Sequence, residues 1–224
     1  MRPVLAFLVL AALAGPALGG AWPREPGGVF LSLRLDQDRP AAGEPSTSVS
    51  AYGEYGLSAR WTVVGQLSNS DQPWTPSRAS LGLRYALSGP DAVNRFAVSF
   101  GVSAPPDLTG AMTSARGELG LAWGRGFETR WGGGWATATL RGLYGPDTER
   151  PITDVSALVG LRPREGWMAM LSASRYADDE GVYVKLTPSI GYELRPDLWL
   201  VPHLTQEFSD DRSTGVGVSV WWSF

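Results

Sequence analysis

The chain has 224 residues, with 28 Gly, 10 Trp, one His and no Cys, and a formal net charge of -3. The lack of Cys excludes a disulfide scaffold and a Cys-based metal site or nucleophile, and one His excludes a multi-His metal centre, so no cofactor or metal is expected. A slightly acidic chain does not suit nucleic acid, whose partners are normally basic, and 43% apolar residues argue against disorder.

In chain order, Met1-Arg2-Pro3 carries one positive charge, Val4 to Ala14 is an apolar run, Gly15-Pro16 breaks it, and Ala17-Leu18-Gly19 supplies small residues. This is the three-part pattern of a secretory signal peptide. A helix over that run would be roughly 16 Å long, too short for a bilayer core of ~30 Å. Residues 1–19 are therefore expected to be cleaved, leaving one domain over 20–224.

The rest alternates with the two-residue period of strands whose faces differ. The predicted strands are 28–36, 47–56, 60–68, 78–88, 94–102, 114–124, 134–144, 153–162, 167–175, 182–194, 198–208 and 215–224. Val29, Leu31, Leu33 and Leu35 alternate with Phe30, Ser32 and Arg34. Phe96, Val98, Phe100 and Val102 alternate with Ala97, Ser99 and Gly101. In 153–162 the one misfit is Leu158, on the polar face. These segments match the ~9–11 residues that a tilted strand needs to cross a bilayer and exceed the ~5–6 typical of soluble strands. Gly56-Leu57-Ser58-Ala59, Gly89-Pro90-Asp91-Ala92 and Arg195-Pro196-Asp197 read as tight turns. Longer polar loops fall at 37–46, 69–77, 103–113 and 145–152, while 125–133 breaks the asymmetry. Short turns on one side and longer loops on the other, with an even strand number, predict a closed antiparallel up-and-down transmembrane β-barrel of about 12 strands.

Aromatic residues form interface girdles in such barrels. Trp61, Trp131, Trp135, Trp167 and Trp199 fall at the starts of odd-numbered strands, with Phe96 in the equivalent place. Trp123, Trp221 and Trp222 fall at the ends of even-numbered ones. All of these ends point to the short-turn side, and only Trp74 lies in a longer loop. The opposite face of each strand carries Ser, Thr, Gly and charge. By parity the lumen receives Arg34, Glu54, Arg84, Arg116, Glu118, Arg141, Asp154, Lys185, Glu193, His203 and Glu207. Charge on the lipid face would cost ~2–4 kcal/mol per Arg or Lys at the midplane, so parity should be strict.

Gly215-Val216-Gly217-Val218-Ser219-Val220-Trp221-Trp222-Ser223-Phe224 resembles the C-terminal strand of bacterial outer-membrane β-barrel proteins. The resemblance implies an outer-membrane location in a Gram-negative bacterium and contact with outer-membrane lipid. It also implies recognition of Val218, Val220, Trp222 and Phe224 by the barrel-assembly machinery. Gly20-Ala21-Trp22-Pro23, Tyr52-Gly53-Glu54-Tyr55-Gly56-Leu57 and Trp221-Trp222-Ser223-Phe224 are similar to small barrels of the MetA-pathway phenol-degradation type. That likeness implies transport of small molecules and carries no catalytic residues.

Twelve strands lie between the eight that side chains fill and the sixteen that enclose an aqueous channel. One expectation is a narrow, porin-like passive channel for a small solute, selective through its lumen charges. The alternative is a closed structural barrel whose lumen charges pair with one another. A lipid hydrolase is the third reading, but a nucleophilic Ser needs a base and a group that orients it. His203 is the one His, and Ser68-Asn69-Ser70 is distant from it. The chain is therefore read as a non-enzyme. Asp178-Asp179-Glu180 and Asp210-Asp211 read as solvated loops.

Overall fold

The structure, a computed structural model, describes residues 20–41, 44–70, 77–106, 114–146, 148, 150–179, 181–209 and 212–224. The predicted signal peptide, Trp74, Glu180 and Asp210-Asp211 lie outside the described residues. The strands in chain order are β1 (Val29–Pro40), β2 (Ser46–Gly56), β3 (Trp61–Ser70), β4 (Arg78–Ala86), β5 (Asn94–Ala104) and β6 (Arg116–Thr129). They continue as β7 (Gly132–Tyr144), β8 (Ile152–Arg164), β9 (Trp167–Ala177), β10 (Val182–Arg195), β11 (Leu198–Glu207) and β12 (Ser213–Ser223).

Each strand pairs antiparallel with its sequence neighbours, and β1 pairs with β12, so the sheet closes into a barrel with no free edge. Closure lets backbone donors and acceptors of every strand pair with those of two neighbours, the arrangement that allows a sheet to cross hydrocarbon. The alternation holds around the ring. Leu31, Leu33 and Leu35 on β1, Leu119 and Leu121 on β6, and Val216 and Val220 on β12 point outward and are exposed. Their sequence neighbours point into the lumen. Outward charge within the strands is confined to places toward the rims, as at Arg39, Arg125 and Arg175. Leu158, the misfit in the alternation, faces inward.

The expected asymmetry of connections is present and sharper than the sequence suggested. The stretch 125–133 is not a long connection: β6 runs through Thr129 and β7 starts at Gly132, leaving Arg130-Trp131 as the turn. Gly132 sits at φ 119°, and a Cβ there would overlap the Arg162 carbonyl oxygen. The β8–β9 and β10–β11 turns also need a positive φ, at Gly166 (72°) and Asp197 (65°). Asp is among the few residues that adopt this region readily. Tight turns of this kind match the right-handed twist of the strands they join.

Candidate functional site

The lumen is the candidate site, and its two halves are built differently. On the turn side, inward positions of β1, β7, β9, β11 and β12 are bulky and apolar. Phe30, Trp135, Met168, Met170, Trp199, Val201 and Trp221 form one buried cluster, with Trp22, Tyr52 and Leu158 packed against it. Glycines on neighbouring strands make room for it. A Cβ on Gly160 would overlap the Trp135 ring, and one on Gly191 would overlap the Met168 side chain. Arg162 lies over the Trp135 and Trp199 rings, 5.4 and 5.8 Å from their centroids. Trp135 and Trp199 are therefore lumen residues, which corrects their expected place in the girdle. The reason is parity. Trp135 shares a face with Arg141, and Trp199 with His203, so level along the strand cannot put either ring outside.

The segment before β1 completes this plug. Ala86, Ala97 and Gly124, at inward positions of β4, β5 and β6, are small. Ala21 is buried and the Trp22 ring lies against Gly124, where a Cβ would overlap it. The Arg24 backbone N–H donates to Thr62 Oγ1 at 3.2 Å, and its Nε donates to Glu54 Oε2 at 2.5 Å. The Arg24 guanidinium also lies 4.6 Å from the Phe30 ring centroid. Glu54 is the junction. It accepts from Arg24, from Arg84 Nη2 at 2.7 Å and from the Tyr52 hydroxyl at 2.5 Å. One buried carboxylate thus ties the wall at β2 and β4 to the inserted segment. Gly27 N–H donates to the Gly56 carbonyl at 2.8 Å and fixes where the segment leaves the lumen.

On the loop side several inward charges form pairs whose cations are partly open to solvent. Arg34 holds Asp36 at 2.6 Å, Arg141 holds Asp154 at 2.5 Å with Glu118 at 3.9 Å, and Lys185 lies 3.4 Å from Glu207. The three cationic side chains are 39%, 38% and 41% exposed. On the plug side Phe30, Met168 and Val201 are 0%, 1% and 2% exposed. Glu207 also accepts from the hydroxyls of Ser209 and Ser213. Where the halves meet, a cavity of about 120 Å³ has Met170, Val201 and Trp221 beneath hydroxyls of Ser172, Thr187 and Ser189, with Arg34 and His203 beside them.

His203 Nε2 contacts Asp36 Oδ1 at 2.7 Å, and Nδ1 lies 3.2 Å from the Val201 carbonyl oxygen. The Asp36 contact bridges from β11 to β1 across β12. It passes over Gly217, where a Cβ would overlap both partners. Both ring nitrogens face oxygen acceptors and neither faces a Ser hydroxyl.

The eleven residues expected in the lumen all lie at inward register positions. Arg34, Glu118, Arg141 and Asp154 make loop-side pairs, as do Lys185 and Glu207, while Glu54 and Arg84 belong to the plug. Arg116 stands at the loop-side start of β6, and Glu193 at the turn-side end of β10. Sequence reasoning missed Asp36, the partner of His203, although its spacing from Arg34 puts it on the same face. It also missed Arg24 and Trp22, which lie outside any alternating segment. Trp61, Phe96, Trp123, Trp131, Trp167 and Trp222 occupy outward positions near the turn-side rim. Arg130 and Arg164 lie over Trp131 and Trp167, at 4.2 and 4.6 Å from the ring centroids.

No known family and no curated protein matches the chain. Solved structures do match. The NanC porin aligns with a TM-score of 0.64 at 10% identity, over 86% of this chain and 98% of that one. The fold is that of an outer-membrane β-barrel. The KdgM porin in complex with disordered oligogalacturonate aligns at 0.61 and 9% identity, over 86% and 99%. The COG4313 outer membrane channel from Pseudomonas putida F1 aligns at 0.55 and 10% identity, over 94% of this chain and all of that one. At these identities the likeness establishes the barrel and its architecture.

Proposed function

We propose that this barrel is a narrow outer-membrane channel for small polar solutes, closed at its turn-side mouth by its own N-terminal segment. The observation that carries this reading is the division of the lumen. A solvated, charge-lined vestibule opens on the loop side and ends on a plug, part of which is a strandless segment held by a few side-chain contacts. A purely structural barrel would not need its inward cations solvated, and a wall filled by its own strands would not need Gly20–Gly28. The similar solved structures, two porins and an outer membrane channel, support the same class. The Arg34, Arg141 and Lys185 side chains, each beside a carboxylate, suit solutes that carry both hydroxyls and charge. Hydrolysis finds no support at His203, whose ring nitrogens are both engaged away from any Ser hydroxyl.

The test is single-channel recording in planar bilayers on the full mature chain and on a variant lacking residues 21–26. The truncated form is expected to show steps several-fold larger than the full chain. Equal conductance in the two forms would remove the segment from the gate. Silence from both, with the barrel folded, would leave the structural-barrel reading in its place.

A further inference from the structure

The lipid-facing wall is not uniform. On β2 and β3 the outward positions are small: Ala51 stands between Leu33 and Leu67, Gly53 lies under the edge of Leu31, and Gly65 has no side chain within 4 Å of where a Cβ would stand. The result is an apolar groove of about 510 Å³. One side of it follows a row of the register. Leu198 pairs with Trp222, Trp222 with Leu31, Leu31 with Gly53, and Gly53 with Gly65. Neighbouring strands are ~4.8 Å apart, so this row is roughly 19 Å long. Each step also stands further from the turn-side end of its strand: Leu198 opens β11, whereas Gly65 lies midway along β3. The row therefore climbs obliquely from the turn-side rim to mid-membrane, and one leaflet of hydrocarbon is about 15 Å deep.

The foot of the row is cationic. Arg195 pairs with Leu198, and its guanidinium lies 5.9 Å from the Trp222 ring centroid. It stands at the same rim as Arg130 over Trp131 and Arg164 over Trp167, the level at which interfacial aromatics meet lipid headgroups. A positive group where headgroups lie, continuous with an apolar channel of acyl-chain length, is complementary to one kind of occupant.

We propose that this groove holds an acyl chain of an anionic phospholipid from the leaflet on the short-turn side, with its phosphate at Arg195. In hydrocarbon, burial of a chain against the wall gains nothing from water exclusion, so selectivity must come from packing and charge. Gly65 provides the packing by letting the chain lie on backbone that any larger side chain would cover. Arg195 provides the charge. The assignment is independent of whether the lumen conducts.

The experiment is native mass spectrometry of the full mature chain in mild detergent, titrated with phosphatidylglycerol or phosphatidylcholine of identical chains. The expected result is one retained phosphatidylglycerol per barrel, several-fold favoured over phosphatidylcholine. Gly65→Leu fills the groove without straining the wall, because the nearest atom to an added Cβ is the Ser80 carbonyl oxygen at 3.8 Å. It is expected to lose the bound lipid. Gly142→Leu places the same side chain at an outward glycine of β7 with nothing within 4 Å of the Cβ, and should retain it. Arg195→Gln should abolish the headgroup preference. Heat-modifiable gel migration checks that each barrel is folded. Retention by Gly65→Leu equal to that of the unaltered chain would overturn the proposal. So would a dimer that Gly65→Leu dissolves, which would make a second copy the occupant.

Discussion

The two halves of the lumen share one strand alternation and one set of inward positions, yet they obey different energetics. On the turn side, large rings rest on glycines and a single carboxylate joins three donors away from water. On the loop side, oppositely charged side chains touch one another at the edge of solvent. Burial makes the first half sensitive to the loss of any one partner, because the charge left behind has nothing to replace it. Solvation makes the second half tolerant, because water and counterions substitute for a missing partner. A barrel can thus be sensitive to substitution where it is packed and tolerant where it is open to solvent.

The contrast can be broken by matched substitutions. Glu54→Gln leaves Arg84 and Arg24 in the plug without their anion and should lower stability by ~3–5 kcal/mol. The loop-side counterpart, Asp154→Asn beside Arg141, should cost less than about 1 kcal/mol. Urea midpoints read from heat-modifiable migration would decide, and equal costs would mean that the halves do not differ as described. Trp135→Ala should also cost ~3–5 kcal/mol by leaving a cavity in the cluster, whereas Trp131→Ala at the outer rim should cost clearly less by the same assay. An equal loss would return Trp135 to the role its level along the strand suggested. The smallest effect sharpens the comparison rather than testing it. Lys185→Gln should leave stability within ~1 kcal/mol but shift the reversal potential under a salt gradient toward cation preference. An unmoved potential would show that ions do not pass that wall.

Strand number, alternation and the inward charges were legible in the sequence because each rests on a period that local chemistry enforces. A single outward Arg at mid-membrane would be expensive, so parity carries information. Trp135 and Trp199 were misplaced by reading level before parity, although Arg141 and His203 on the same faces already decided the matter. Asp36 was within reach of the same rule. Other features belong to register between strands, which no window along the chain contains. That Gly217 clears the path from His203 to Asp36 depends on β12 lying between β11 and β1. That Trp22 finds Gly124 depends on the lumen of an already closed barrel. The arginine at 24 has no pattern around it, and its meaning comes entirely from Glu54.

The seam between β1 and β12 has a consequence for how the molecule comes into being. Val29 and Phe224 exchange both backbone hydrogen bonds, at 2.7 and 3.0 Å, and join positions separated by nearly the whole described chain. Contacts so far apart in sequence are the slowest to form. Until this one is made, the sheet has two open edges able to pair with other chains. The same closure puts the inserted segment, which runs directly into Val29, inside a finished wall. The seam that closes the wall thus also encloses the segment that runs into it.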